Sequence, residues 1–310
     1  MWAIAIIFRE LQIRMTVASV AGTVFALLCA APTGALIFSA QIAWILWGPA
    51  TFAWAAARRG NWTAAAMVLG VLASIKPFLG LLVMAFIAIG RRKPAALALT
   101  MTALCFSIGI ITLGWGTVAS WWSAVRSVTW GGHIFNVSLF GFSDRLFTGT
   151  SSVWPLAPLA ERPEIVWPAW LATAAVVLAV TFRAIRRRRP ETEGNDTAPD
   201  PWTVDHTFAA TLSAAFLVSP FSWIYYLFLA AGPVLAIVRH GDWWSSRWRT
   251  LVSVMAMMGL TMGPKTLTAG QPAGFATFSI GSAYFWAVLG LWMCLWTLPD
   301  VSATRQRPGS

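Results

Sequence analysis

The sequence predicts an all-α, multi-pass bundle of membrane-spanning helices carrying one long polar loop, and three observations lead there. Of 310 residues, 58% are hydrophobic and only 11% charged, with a mean hydropathy of +0.68; soluble domains carry about 25% charged residues. The apolar residues also come in runs close to the roughly 20 helical residues that a bilayer core requires. The basic residues, which give a formal net charge of +11, stand in short clusters between those runs. That placement is the signature of membrane topology, and it argues against nucleic acid as a partner.

Taken in order, the chain starts on an apolar stretch with no basic residues ahead of it and no small-residue cleavage site, so this stretch is not expected to be a secretory signal peptide. Full spans are expected at residues 15–31, 34–56, 94–114, 167–185, 250–264 (short) and 280–299. Two further apolar stretches are interrupted: residues 62–90 by Lys76 and Pro77, and residues 206–238 by Ser219 and Pro220. Proline removes a backbone donor and crowds the preceding turn, so each stretch kinks or breaks there, and neither half is long enough to cross alone. Each is therefore a broken hairpin returning to its side of entry or one tilted crossing.

The basic residues favour hairpins. With both stretches returning, Arg9, Arg14, Arg58, Arg59, Arg91, Arg92, Lys93, Arg183, Arg186 to Arg189, Arg239, Arg247, Arg249, Arg305 and Arg307 share one face, and Arg126, Arg145, Arg162 and Lys265 lie opposite. The richer face is expected to be cytoplasmic, which makes residues 115–166 an extracytoplasmic loop. The organisation is then an N-terminal helical group (1–189), an acidic, disordered cytoplasmic linker (190–205), a C-terminal helical group (206–299) and a polar tail (300–310). The expected location is the cell membrane.

Chemistry is expected at the polar breaks. Lys76 lies within the apolar thickness, where an ammonium needs a cavity, water or an anion. It either binds a phosphate at membrane depth or snorkels to an interface as a depth anchor. Around the second break, Ser219, Ser222, Trp223, Tyr225 and Tyr226 form either a polar, aromatic cavity or an interfacial belt. In the loop, Trp130, Gly131, Gly132, His133, Asn136, Ser138, Asp144 and Arg145 gather tight-turn glycines, groups suited to sugar hydroxyls, a guanidinium suited to phosphate and a candidate base. Arg145 beside Asp144 favours the ionised carboxylate, so Asp144 is equally read as a structural partner. Cys29, Cys105 and Cys294 each sit in apolar segments without CxxC or histidine neighbours, so neither disulfides nor a metal site follow. No cofactor motif and no hydrolase or ATPase motif is present.

The motifs occur in a recognisable order. An apolar segment carries Gln41, a basic loop holds Arg58 and Arg59, and Lys76-Pro77 precedes an Arg-Arg-Lys cluster at 91–93. The WGGH-x-x-N-x-S-L run (130–139) and SP-x-S-W (219–223) follow. This order resembles glycosyltransferase family 87, GT-C-type mannosyltransferases that use polyprenol-phosphate-mannose. The resemblance implies transfer of a hexose, mannose in that family, from a lipid-phosphate donor to a cell-envelope glycolipid or glycan on the outer face. On that basis Lys76 and Arg145 are expected to meet the donor phosphate. His133, Asn136, Ser138, Trp130, Trp223 and Tyr225 are expected to meet sugar or acceptor. The resemblance also implies a catalytic aspartate in a loop after a first helix. Here residues 1–7 align with the second helix, so the chain is expected to lack that loop and to be inactive as written, Asp144 being the one substitute. A transporter or lipid flippase is the competing expectation, which the two broken hairpins and a buried lysine would also suit.

Overall fold

The computed structural model describes residues 1–150, 154–188, 200–239 and 243–298. Most of the expected linker and the whole polar tail lie outside these residues. Among the described residues the fold is helical throughout, with two isolated bridges, Asn136 with Trp223 and Thr150 with Leu156, in place of a sheet.

Helix α1 (Trp2–Glu10) runs alongside α4 (Ala43–Arg58). The Trp2 indole lies over Gly48, where an added Cβ would stand 2.7 Å from the ring, and stacks on Phe52. Between them, α2 (Val17–Cys29) and α3 (Ala31–Phe38) form a pair bent by 61°. The expected span at 34–56 is thus divided. Proline at the start of α3 permits the bend, and the chain reverses at residues 39–42, where Ala40 takes a positive φ of 47°. The turn falls on the polar Ser39 and Gln41 and not, as the apolar pattern suggested, at 31–34.

Both interrupted stretches are hairpins. Helix α5 (Trp62–Ile75) ends at Lys76, whose φ of −133° and ψ of 96° are the extended values that a following proline imposes. A 3₁₀ turn at Pro77–Leu79 leads into α6 (Gly80–Ala88), which returns to the start of α5. There Trp62 meets Phe86 edge-on at 5.4 Å, and the Arg91 guanidinium lies 5.0 Å from the Trp62 ring.

After α7 (Arg92–Leu113), α8 (Trp115–Arg126), α9 (Leu139–Phe147) and α10 (Val166–Arg187), α11 (Pro201–Val218) opens the second hairpin. It breaks at Ser219-Pro220, turns through a 3₁₀ segment at Ile224–Ala230 and returns as α12 (Ala231–Arg239). Ala209 of α11 and Ile237 of α12 share one small core, so entry and exit lie at the same end. Helices α13 (Arg247–Thr261), α14 (Pro264–Leu267), α15 (Phe275–Phe278) and α16 (Ala283–Trp296) complete the bundle.

Arg92–Leu113, Pro163–Arg187 and Phe275–Trp296 are long and apolar enough to cross a membrane, and the bent α2–α3 pair makes a fourth as one span. The shorter helices pack among them. Their exposed side chains are large and apolar, as lipid contact requires, for example Phe25, Leu104 and Met255.

Residues 201–205 of the expected linker belong to α11, and its residues 190–199 lie outside the described residues. Asp205 is fully buried, pairs with Arg58 at 3.0 Å (Nε to Oδ1) and accepts a hydrogen bond from Trp54 Nε1 at 2.8 Å. Arg58 Nη1 donates to the Glu10 carbonyl at 3.1 Å, and Arg59 pairs with the Glu10 carboxylate. A charged cluster therefore ties α1, α4 and α11 together at the basic end of the bundle. The hairpin tips and the 115–166 loop gather at the other end.

Candidate functional site

The tips of the two hairpins meet. Lys76 Nζ stands 5.3 Å from the centre of the Tyr226 ring, and Phe78 contacts both Tyr226 (5.1 Å) and Phe216 (6.1 Å). Lys76 is half-buried and has no ion-pair or hydrogen-bond partner among the described residues. A cation on an aromatic face is held by about 0.5–2 kcal/mol, which leaves its three N–H donors free for an anion.

Three residues before Tyr226, the second hairpin tip pairs with the loop. Val137 N–H donates to the Ser222 carbonyl at 2.7 Å, and Ile224 N–H to the Phe135 carbonyl at 2.8 Å. Asn136 locks this junction. Its Nδ2 donates to the carbonyls of Gly131 and Pro220, both at 2.8 Å, while its Oδ1 accepts from the N–H groups of Ser138 (3.2 Å) and Ser222 (3.3 Å). The amide has no capacity left for a ligand. Ser138 Oγ likewise donates to the Pro220 carbonyl at 3.1 Å and accepts from Gly141 N–H at 2.9 Å, capping α9. Gly141 must be glycine, since a Cβ would lie 2.5 Å from Asn136 Cγ.

Arg145 projects from α9 into the same knot and is fully buried. Its Nη1 donates to the carbonyls of His133 (3.0 Å) and Asn136 (2.9 Å), and its Nε to Ser282 Oγ at 3.2 Å, just before α16. Burial pushes its pKa down to about 9, partly opposed by the neighbouring Asp144 charge, so it stays cationic at neutral pH. The Arg145 guanidinium, expected to meet a donor phosphate, is fully buried here: Nη1 and Nε are bonded to the loop and Ser282, and Nη2 has no hydrogen-bond partner.

Asp144 lies under the Gly131-Gly132 turn. Its Oδ2 would be 3.0 Å and 3.2 Å from Cβ atoms built on the two glycines. That contact explains the glycine pair. Burial raises the Asp144 pKa above the usual aspartate range, opposed by Thr148, the Gly132 amide and the Arg145 charge.

What remains open is aromatic. Trp130 is 50% exposed and stacks on Trp223 at 4.9 Å and 27°. His133 stands edge-on to Trp154 (5.4 Å) and Trp223 (6.0 Å) and contacts Phe135. Its Nδ1 accepts from Phe135 N–H at 3.1 Å, which leaves the proton on Nε2. Burial, and secondarily the Arg145 charge, lower its pKa to about 4, so the ring is neutral and offers one N–H donor.

Of the residues expected at the site, Lys76, Trp130, His133 and Trp223 therefore border the accessible junction. Asn136, Ser138 and Arg145 build it from behind. Tyr225, 2% exposed, packs on Tyr226. Sequence reading missed Phe38, Phe135 and Trp154, which wall the aromatic cluster. Single aromatic residues in an aromatic-rich chain carry no local signal, and only the chain's path brings these three together.

The fold and site define a helical membrane protein in which a cation without an ion-pair partner among the described residues stands between two broken hairpins, beside a braced aromatic loop. The family model described as Glycosyltransferase family 87 matches residues 1–198. The chain belongs to glycosyltransferase family 87, a family of membrane glycosyltransferases. The matched segment contains Gln41, Lys76-Pro77 and the WGGH run, and SP-x-S-W lies beyond it. No curated protein and no solved structure matches the chain.

Proposed function

We propose that this chain acts in transfer of a hexose, mannose as the first candidate, from a polyprenol-phosphate donor to a cell-envelope glycolipid or glycan at the outer membrane face. One observation carries the reading: the meeting of the hairpin tips leaves Lys76 unpaired on the Tyr226 ring, adjacent to the loop junction. A lipid-linked sugar needs this combination. Its polyprenol lies in the apolar phase, its phosphate sits at the depth of a half-buried cation, and its sugar reaches polar, aromatic surface beyond.

In the reaction an acceptor hydroxyl oxygen bonds to the anomeric carbon as the bond from that carbon to the phosphate oxygen breaks. The bonding pair leaves with polyprenol phosphate, whose negative charge increases, and the acceptor hydroxyl's proton passes to that departing phosphate or to water. Lys76 opposes that added charge, and such stabilisation favours the transition state over the bound donor. Trp130, stacked on Trp223, and the neutral His133 Nε2–H offer a platform and a donor for sugar hydroxyls. We assign Asp144 to the turn it supports, and Arg145, Asn136 and Ser138 to positioning of the loop.

The test uses the purified full chain in nanodiscs with polyprenol-phosphate-mannose. Lys76→Met should weaken donor binding roughly ten- to a hundredfold, the worth of a charge-assisted hydrogen bond of about 1.5–3 kcal/mol. Lys76→Arg should keep part of it, since charge persists in altered geometry. Unchanged donor affinity in Lys76→Met would reduce the lysine to a depth anchor. Transfer by the chain that Asp144→Asn abolishes, with donor affinity intact, would instead make Asp144 the base.

A further inference from the structure

At the basic end, away from the site just described, α6 and α10 line a groove of about 490 Å³. Met84, Ile87 and Phe182 give it an apolar floor, and Arg183, Arg186 and Arg187 stand along its rim. The helices touch below it through a small separate core of Ala85, Ala88 and Ile185. All three arginines are exposed, and none has an ion-pair or hydrogen-bond partner among the described residues. Topology alone would explain basic residues at a helix end. It does not explain why three unpaired guanidiniums on one helix border an apolar trough formed with a second helix.

The geometry points to a binding site for an anionic phospholipid, with the phosphate headgroup on Arg183, Arg186 and Arg187 and the upper acyl chain on Met84, Ile87 and Phe182. Charge complementarity selects this occupant: a zwitterionic lipid or detergent would meet the same floor without neutralising the rim. Guanidiniums pair bidentately with phosphate oxygens, and each basic residue near an anionic membrane surface contributes about 1 kcal/mol. The site is independent of the donor phosphate at Lys76, which lies at the opposite end of the first hairpin.

Native mass spectrometry of the full chain, released from nanodiscs of phosphatidylcholine with added cardiolipin, provides the test. Wild type should retain cardiolipin, and the triple variant Arg183→Gln, Arg186→Gln, Arg187→Gln should lose roughly two decades of affinity. Ile87→Trp, which fills the trough and keeps every charge, should also weaken retention. Arg9→Gln with Arg14→Gln, equally exposed residues at the same end, should leave it unchanged. An equal loss from that control pair would mean general surface attraction and would overturn the site. So would retention that rises when Glu191→Gln, Glu193→Gln and Asp196→Asn remove the acidic residues after α10, since the linker would then be the occupant. Intact binding of polyprenol-phosphate-mannose by the triple variant would separate this outcome from the Lys76 proposal.

Discussion

Asn136 shows how little of a residue's role its type reveals. A polar amide in a Gly-rich loop looks like a sugar ligand, yet all its hydrogen-bonding capacity joins the loop to the second hairpin tip. Asn136→Leu would leave the Gly131 carbonyl and the Ser138 and Ser222 N–H groups without partners, and the Pro220 carbonyl with Ser138 Oγ alone; each orphaned group costs about 1–3 kcal/mol unless water enters. The variant is expected to lower the unfolding temperature in detergent and to open residues 130–147 to protease, whereas Trp130→Ala should do neither. His133 supports a pH prediction. Its folded pKa of about 4 lies below the usual 6.5, so the unfolded chain binds the extra proton first. The stability it contributes is full above about pH 6.5 and falls away as pH drops toward 4. The unfolding temperature in detergent should therefore be flat from pH 8 to 6.5 and decline toward pH 4, with a smaller decline in His133→Gln.

At the scale of helices, the charged cluster at the basic end determines how α1, α4 and α11 pack. Asp205→Asn leaves Arg58 with Glu10 as its remaining ion-pair partner at 3.6 Å, so the loss should fall below the about 3–5 kcal/mol typical of a buried charge left alone. Replacing both Arg58 and Asp205 by apolar residues removes both buried charges, so Arg58→Met with Asp205→Leu should cost less than the sum of the two single changes. Thermal unfolding of the two single variants and the double variant in one detergent checks this. A loss in the double variant equal to the sum of the two single losses would mean that the pair contributes no coupling. The hairpins themselves were legible, because Lys76-Pro77 and Ser219-Pro220 break apolar runs in halves too short to cross. The turn at residues 39–42 was not, since a single positive φ at Ala40 inside an apolar stretch leaves no compositional mark.

Across the whole molecule, the basic clusters and the loop lie at opposite ends, as both hairpins return to their side of entry. If the basic end is cytoplasmic, then in a background lacking Cys29, Cys105 and Cys294 a Glu161→Cys variant should react with an impermeant maleimide on intact cells. Thr297→Cys should react only after permeabilisation. The opposite pattern would reverse the orientation and place the Lys76 junction on the inner face, against the proposed reaction.

Hydrophobic periodicity, proline breaks and the order of Lys-Pro, WGGH and SP-x-S-W were enough to determine a helical membrane protein of glycosyltransferase family 87. These are local signals, set by what each segment must do in lipid. Tertiary structure alone decided which polar groups remain available. Burial and hydrogen-bond partners come from residues far apart in sequence: Asn136 to Pro220, Arg145 to Ser282, Lys76 to Tyr226. A side chain's freedom to meet a ligand is what those long-range contacts leave over, and no local pattern records that remainder.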